Sequence, residues 1–151
     1  MATSNGKLFD IVQNLIEANR DAQRGYRDAA EKVKDPELRR FFNEHSIERG
    51  NYAAELQSEA HHLGKPDTKV KGSATGTIRR GWMGLKTSLG GGDHAILGSL
   101  EAAEDSVKKS YQDALNEALP GSLAPIIRTQ AQTVFGAHDY IRIMRDRRVA
   151  A

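Results

Sequence analysis

Apolar side chains recur every three or four positions along most of the chain, which is the spacing of one face of a helix. The first series reads Leu8, Val12, Leu15, Asn19, Ala22, Tyr26, Ala29 and Val33. No stretch alternates apolar and polar residues in the manner of a strand. The pattern therefore predicts an all-α protein, with helices over about 6–34, 36–63, 74–89, 93–119 and 122–148.

Short polar and glycine-containing stretches separate these periodic segments. Asp35 suits an N-cap and Pro36 suits the first position of the second helix. Gly64 follows that helix as a C-terminal residue, and Asp93 after three glycines suits the N-cap of the next long helix. These signals place each predicted helix end within a few residues.

The connection between Gly64 and Gly92 is long enough to travel along a whole bundle. Each long helix has about 27 residues and is therefore ~40 Å long. A crossover of that reach makes the second and third long helices parallel and carries the short helix at about 74–89. The prediction is one domain over residues 1–151, a ferritin-like four-helix bundle with one long crossover.

Composition limits the class of protein. The chain contains no cysteine, which excludes disulfides and thiolate metal sites and fits a reducing cytosol. No secretory leader and no apolar run near the ~20 residues of a membrane span occurs, so we expect a cytoplasmic protein. The formal net charge is only +2, although six basic residues and one acidic residue lie between Lys65 and Gly92.

One carboxylate interrupts the apolar face of the third long helix. That face runs through Leu97, Leu100, Val107 and Tyr111, and Glu104 fills the missing position. A buried carboxylate must be paired, protonated or bound to a metal ion. Counting residues from the helix ends places several polar residues in one slab, ~16 Å from one end of the bundle. Those residues are Glu104, His138, His45, Glu48 and Asp21.

Two interpretations of the slab remain open. In the first, Glu104, His138, His45 and Glu48 bind iron, manganese or zinc, since carboxylate and imidazole ligands suit these metals; Asp21 and Glu101 would lie just outside the ligands. In the second, the slab is a hydrogen-bonded structural layer, which can fix the register of helices. There Arg49 or His138 pairs with Glu104, and Tyr26 or Asn19 completes the layer.

Several segments resemble a bacterial ferritin-like four-helix-bundle family that is classed as a domain of unknown function. They are DAQRGYRDAAEKVKDPELRRFF, RRGWMGLK, GGDHAIL, EAAED and HDYIRIMRD, and the similarity covers about residues 7–147. The resemblance implies the bundle fold and, at most, a stress association, with no established activity or ligand. In ferritin-like proteins two carboxylates and two Glu-x-x-His motifs hold two metals, but Phe135 stands three residues before His138.

The sequence contains no nucleophile elbow, P-loop or dinucleotide-binding turn. We therefore expect a non-catalytic structural or stress-associated protein that self-associates as a dimer. The predicted interface is the apolar stripe of the short helix, formed by Ile78, Trp82, Leu85 and Leu89. A metal-binding protein is the first alternative, and a basic amphipathic binder of membrane surfaces or nucleic acid is the second. Binding to nucleic acid itself is not expected.

Overall fold

A computed structural model describes residues 4–64 and 76–148. The described residues form five helices and contain no strand, which confirms the all-α prediction. The ends differ from the predicted ones by a few residues, and residues 74 and 75 of the predicted short helix lie outside the described ranges. The helices are α1 (Asn5–Lys32), α2 (Pro36–His62), α3 (Gly76–Ser88), α4 (Asp93–Leu115) and α5 (Ala124–Asp146).

The four long helices form two hairpins, α1 with α2 and α4 with α5. The Asp93 carboxylate at the start of α4 accepts hydrogen bonds from the backbone N–H groups of Lys34 (2.8 Å) and Asp35 (3.0 Å), just before α2. Helices α2 and α4 therefore begin at the same end of the bundle and run parallel, as the length of the crossover predicted. None of the described helices is both long and apolar enough to cross a membrane.

The capping residues were predicted correctly at α2 but not at α4. The Asp35 carboxylate accepts a hydrogen bond from the backbone N–H of Glu37 at 2.8 Å, and Pro36 opens the helix. That hydrogen bond, together with the Arg148 guanidinium, lowers the pKa of Asp35. At α4 the N-cap position is taken by Gly92, with φ of 102°, because the Asp93 carboxylate is used on the neighbouring loop.

Helix α3 packs with its apolar face against α1 and α4. Ile78, Trp82 and Leu85 are 3%, 6% and 2% exposed, and Leu89 packs against the same core. The stripe that the sequence offered as a dimer interface is therefore covered within the chain, and the dimer itself stays a prediction. The crossover lays the apolar face of α3 over its own bundle, so the chain covers the stripe itself.

Two glycines allow α3 to come this close. A Cβ atom on Gly25 of α1 would lie 2.3 Å from Cε3 of Trp82, and one on Gly81 would lie 3.2 Å from the Cα atom of Ala103 in α4. The Trp82 ring also meets Tyr26 edge-on, with the ring centroids 5.8 Å apart. Trp82 is thus the side chain that anchors the crossover helix to α1.

Candidate functional site

The carboxylate on the apolar face of α4 is half of an ion pair at the centre of the bundle. The Arg49 guanidinium on α2 donates to both oxygens of Glu104: Nη1 to Oε1 at 2.8 Å and Nη2 to Oε2. Both side chains are 0% exposed. Such a two-pronged, charge-assisted contact fixes both the distance and the orientation of the two groups. It connects α2 to α4 across the interior.

Tyr26 of α1 completes this part of the interior. Its ring lies under the Arg49 guanidinium, 5.4 Å from the ring centroid, in a cation–π arrangement. Burial works to lower the pKa of Arg49, but the charge and hydrogen bonds of Glu104, together with Tyr26 and Tyr111, outweigh burial and raise the pKa. Burial, and then Glu104, raises the pKa of Tyr26 well above its ordinary value. The arginine is therefore cationic and the phenol neutral across the physiological pH range.

A second polar connection links all four long helices. Asn19 Nδ2 of α1 donates to the Tyr111 hydroxyl of α4 at 2.7 Å, and that hydroxyl donates to Gln130 Oε1 of α5 at 2.7 Å. Gln130 Nε2 then donates to Glu55 Oε1 of α2 at 2.8 Å. Burial raises the pKa of Tyr111, which keeps the hydroxyl protonated and able to donate. Tyr111 is two helical turns, or about 10 Å, beyond Glu104.

Two of the predicted metal ligands lie on α2 but have other neighbours. The His45 ring stacks on Phe41, with centroids 4.1 Å apart, and also contacts Tyr26. Burial, and then the charge of the neighbouring arginine, lowers the pKa of His45, which favours the neutral imidazole. Glu48 Oε1 accepts a 2.6 Å hydrogen bond from the Tyr52 hydroxyl, and burial, followed by that hydrogen bond, raises the pKa of Tyr52 to about 12.

His138, the third predicted ligand besides Glu104, lies between carboxylates of α4 and α5. Its Nε2 is 2.6 Å from Oδ1 of Asp105 and 3.9 Å from Oε1 of Glu101, and its Nδ1 is 3.1 Å from Oδ1 of Asp139. Arg145 pairs with Glu101 in turn. The sequence predicted that Glu101 lies near this group, but it gave no signal for Asp105, whose side chain is 62% exposed.

The structure does not bring the four predicted ligands Glu104, His138, His45 and Glu48 together as one set. Asp21, predicted near them, pairs with Arg24 instead. No group of three or more His, Asp or Glu side chains within residues 4–64 and 76–148 is placed to hold a metal ion. The pairing of Arg49 with Glu104 matches the other interpretation of the slab. Tyr26 lies under the same guanidinium, and Asn19 donates to Tyr111.

Comparison with protein families gives one match. The model of a family described as a domain of unknown function, DUF2383, matches residues 7–117. The chain belongs to this family. No sequence among curated proteins matches the chain.

The DUF2383 match contains the residues of the central ion pair and the Gly25–Trp82 contact. It ends just after α4, so Gln130 and His138 on α5 lie beyond it. Membership of the DUF2383 family agrees with the predicted resemblance to a domain of unknown function. The family description names no activity.

Proposed function

We propose that this DUF2383 protein is a non-catalytic helical bundle that acts through its surface, as a structural or stress-associated component. The pairing of Arg49 with Glu104 carries the proposal, because both oxygens of the central carboxylate are used by the guanidinium. The Asn19–Tyr111–Gln130 connection uses further buried polar groups in the same way. A buried polar layer of this kind fixes helix register and leaves the centre little capacity for chemistry.

The metal-binding alternative is less well supported by these contacts. A metal ion on Glu104 would have to displace Arg49, whose guanidinium would then be buried without its partner. Removing one partner from a buried pair costs about 3–5 kcal/mol, and metal binding would have to exceed that cost. His138 is already in contact with Asp105 and Asp139.

Metal content tests this choice directly. The protein is produced in medium supplemented with iron, manganese and zinc, purified without chelator and examined by elemental analysis beside Glu104→Ala and His138→Ala. Asp113→Ala is the control, since that side chain is 66% exposed. We expect no stoichiometric metal in any sample. Stoichiometric metal that is retained in the control and lost in both site variants would refute the proposal.

Self-association is the second part of the proposal, and it needs a surface other than α3's buried stripe. The exposed large apolar side chains of the described residues are Ile47, Met83 and Ile143, at 67%, 58% and 47% exposure. Sedimentation equilibrium over a wide concentration range tests it. A dimer that weakens in Met83→Lys or Ile143→Lys supports self-association, and monomer at every concentration refutes it.

The surface-binding alternative gains little from the described basic residues. Arg79, Arg145 and Arg148 each pair with a carboxylate elsewhere in the chain. Paired charges contribute less to the release of counterions on which nucleic-acid binding depends. We expect no co-sedimentation with duplex DNA at low salt, and salt-sensitive binding there would contradict this expectation.

A further inference from the structure

Helix α3 lies on the outside of the four long helices. Its apolar face packs on α1 and α4, with the ring of Trp82 directly above Gly25. The Arg79 guanidinium pairs with Glu17 of α1 at the same interface. The opposite face of α3 meets solvent, since Met83 is 58% exposed. The crossover helix is therefore an outer layer placed over a bundle of four helices.

The polar connections in the interior do not include α3. Arg49 and Glu104 join α2 to α4, and the connection through Asn19, Tyr111 and Gln130 joins the four long helices. Each of these side chains belongs to α1, α2, α4 or α5. Departure of α3 would break none of these hydrogen bonds, so the contacts that fix the register of the long helices would be kept.

Three polar atoms buried between α1 and α3 have no hydrogen-bond partner among the described residues. They are Oε2 of Glu17, Oδ2 of Asp21 and Nε1 of Trp82, and these side chains belong to residues that are 3%, 6% and 6% exposed. Burial also raises the pKa of Asp21, because it disfavours the charged carboxylate. Buried polar groups without partners destabilise the arrangement that buries them. Opening of α3 would hydrate all three atoms.

The sequence of α3 makes its helical state depend on this packing. The helix has 13 residues, and isolated helices shorter than about 12–15 residues are marginal in water. Gly81 and Gly84 lie in its interior, where glycine is one of the least favourable residues. The turn that joins α3 to α4 contains Gly92, whose φ of 102° suits glycine. Once its packing is lost, α3 has little intrinsic helical stability and a glycine turn about which to move.

We propose that α3 is a strap that leaves the bundle and loses its helical hydrogen bonds as one unit, while the four long helices stay folded. The open form presents Ile78, Trp82 and Leu85 to solvent, together with the faces of α1 and α4 beneath them. Such a local opening has a lower free energy than global unfolding. Apolar surface that the closed form conceals thus becomes available without loss of the bundle.

The strap goes beyond the proposed surface-acting role and does not depend on it. Stoichiometric metal, or a monomer at every concentration, would refute parts of that role and leave the opening of α3 unaffected. Absence of the opening would leave the metal and sedimentation results unaffected in turn.

Amide hydrogen exchange of the full-length protein, followed by NMR in increasing sub-denaturing urea, tests the proposal. It gives the free energy and the urea dependence of the opening at each amide. We expect residues 80–88 to share one opening, with a lower free energy and a smaller urea dependence than residues 97–107 of α4. Equal free energies and urea dependences in the two helices would overturn the proposal. Unrelated openings from one α3 amide to the next would overturn it as well, since they indicate fraying.

Matched glycine substitutions test whether the opening belongs to α3. Gly84→Ala in α3 and Gly136→Ala in α5 each add a methyl group where a Cβ atom meets nothing within 4 Å. The first should make the α3 opening rarer by roughly fivefold, because alanine favours the helical state. The second should leave that opening unchanged, because α5 stays folded in the open form. Equal effects of the two substitutions on exchange in α3 would contradict the proposal.

Asp21→Leu tests the part played by the buried carboxylate. Leucine of similar size removes the unpaired oxygen beneath α3, and Arg24, the partner of Asp21, is left with a side chain that is 63% exposed. The α3 opening should become rarer by roughly fivefold or more. Asp113→Leu is the control, since its side chain is 66% exposed. An opening that is unchanged or more frequent in Asp21→Leu would overturn the proposal.

Discussion

Removing one member of the Arg49–Glu104 pair should be among the most damaging single changes in the bundle. In Glu104→Leu the guanidinium stays at a position that is 0% exposed, with its main partner gone. Breaking a buried pair in this way costs about 3–5 kcal/mol. Since a domain of this kind has a free energy of unfolding of about 5–15 kcal/mol, the variant should lose a large part of its stability. For a chain of this size that corresponds to a fall in Tm of roughly 10 °C.

Removing both charges should be far less harmful. The double variant Arg49→Met with Glu104→Leu keeps side chains of similar shape and buries no charge. Replacement of a buried pair by apolar residues is often neutral or stabilising, so we expect the double variant to be more stable than Glu104→Leu by about 3 kcal/mol or more. The contrast separates the cost of an orphaned charge from the cost of altered packing.

Urea denaturation gives these free energies, with circular dichroism following the helices and Trp82 fluorescence following the α1–α3 contact. Lys109→Met is the control, because it removes the exposed pair with Asp113 at 3.8 Å, and such pairs contribute about 0–1 kcal/mol. If Glu104→Leu lowers the free energy of unfolding by no more than the control does, the Arg49 guanidinium is not shielded from water in the interior. The account of the polar layer would then be wrong.

Three further changes test other parts of the fold. Gly25→Ala should lower the free energy of unfolding by about 1–3 kcal/mol through overpacking against Trp82 and shift the fluorescence of Trp82. The control is Gly84→Ala, which should be neutral or stabilising because a Cβ atom there meets nothing within 4 Å. Equal effects of the two substitutions would contradict the close contact. Tyr111→Phe removes the hydroxyl between α1 and α5 and should cost about 1–3 kcal/mol, and an unchanged urea midpoint would contradict that connection. The pKa of Asp35 is lower in the folded than in the unfolded chain, so its contribution to stability is present above the unfolded pKa and is lost as pH falls through the folded pKa. Asp35→Asn should therefore flatten the acid side of the curve of unfolding free energy against pH. An identical curve for the variant and the wild type would refute this.

Helical periodicity was enough to predict the secondary structure and the order of the helices. The predicted cap at Asp35 and the parallel arrangement of α2 and α4 followed from local signals and from the length of the crossover. The same information could not assign the apolar stripe of α3 to a partner. A helix with one apolar face requires a covering surface, and the pattern does not say whether that surface belongs to the same chain or to another copy. Gly25, which makes room for Trp82, is the signal that favours the same chain.

The polar layer was partly predictable for a similar reason. Counting residues gives the height of a side chain along the bundle but not its direction around the helix axis. Arg49 and Glu48 are neighbours on α2 and point about 100° apart around its axis, so Arg49 binds Glu104 while Glu48 accepts a hydrogen bond from Tyr52. The sequence located Glu104 because this residue interrupts the apolar face of its helix. It gave no comparable signal for Glu55, which is exposed.

The side-chain NMR signals of Arg49 provide the most direct measurement of the central claim, that the interior carboxylate is held by a buried guanidinium. A ¹⁵N spectrum of the guanidinium groups, assigned with Arg49→Lys, shows whether these hydrogens are fixed and protected. A buried, paired guanidinium should have Nη hydrogens that exchange slowly with solvent and rotate slowly about the Nε–Cζ bond, and both effects should be lost in Glu104→Gln. Rapid exchange and free rotation in the wild-type protein, equal to those of exposed arginines, would contradict it.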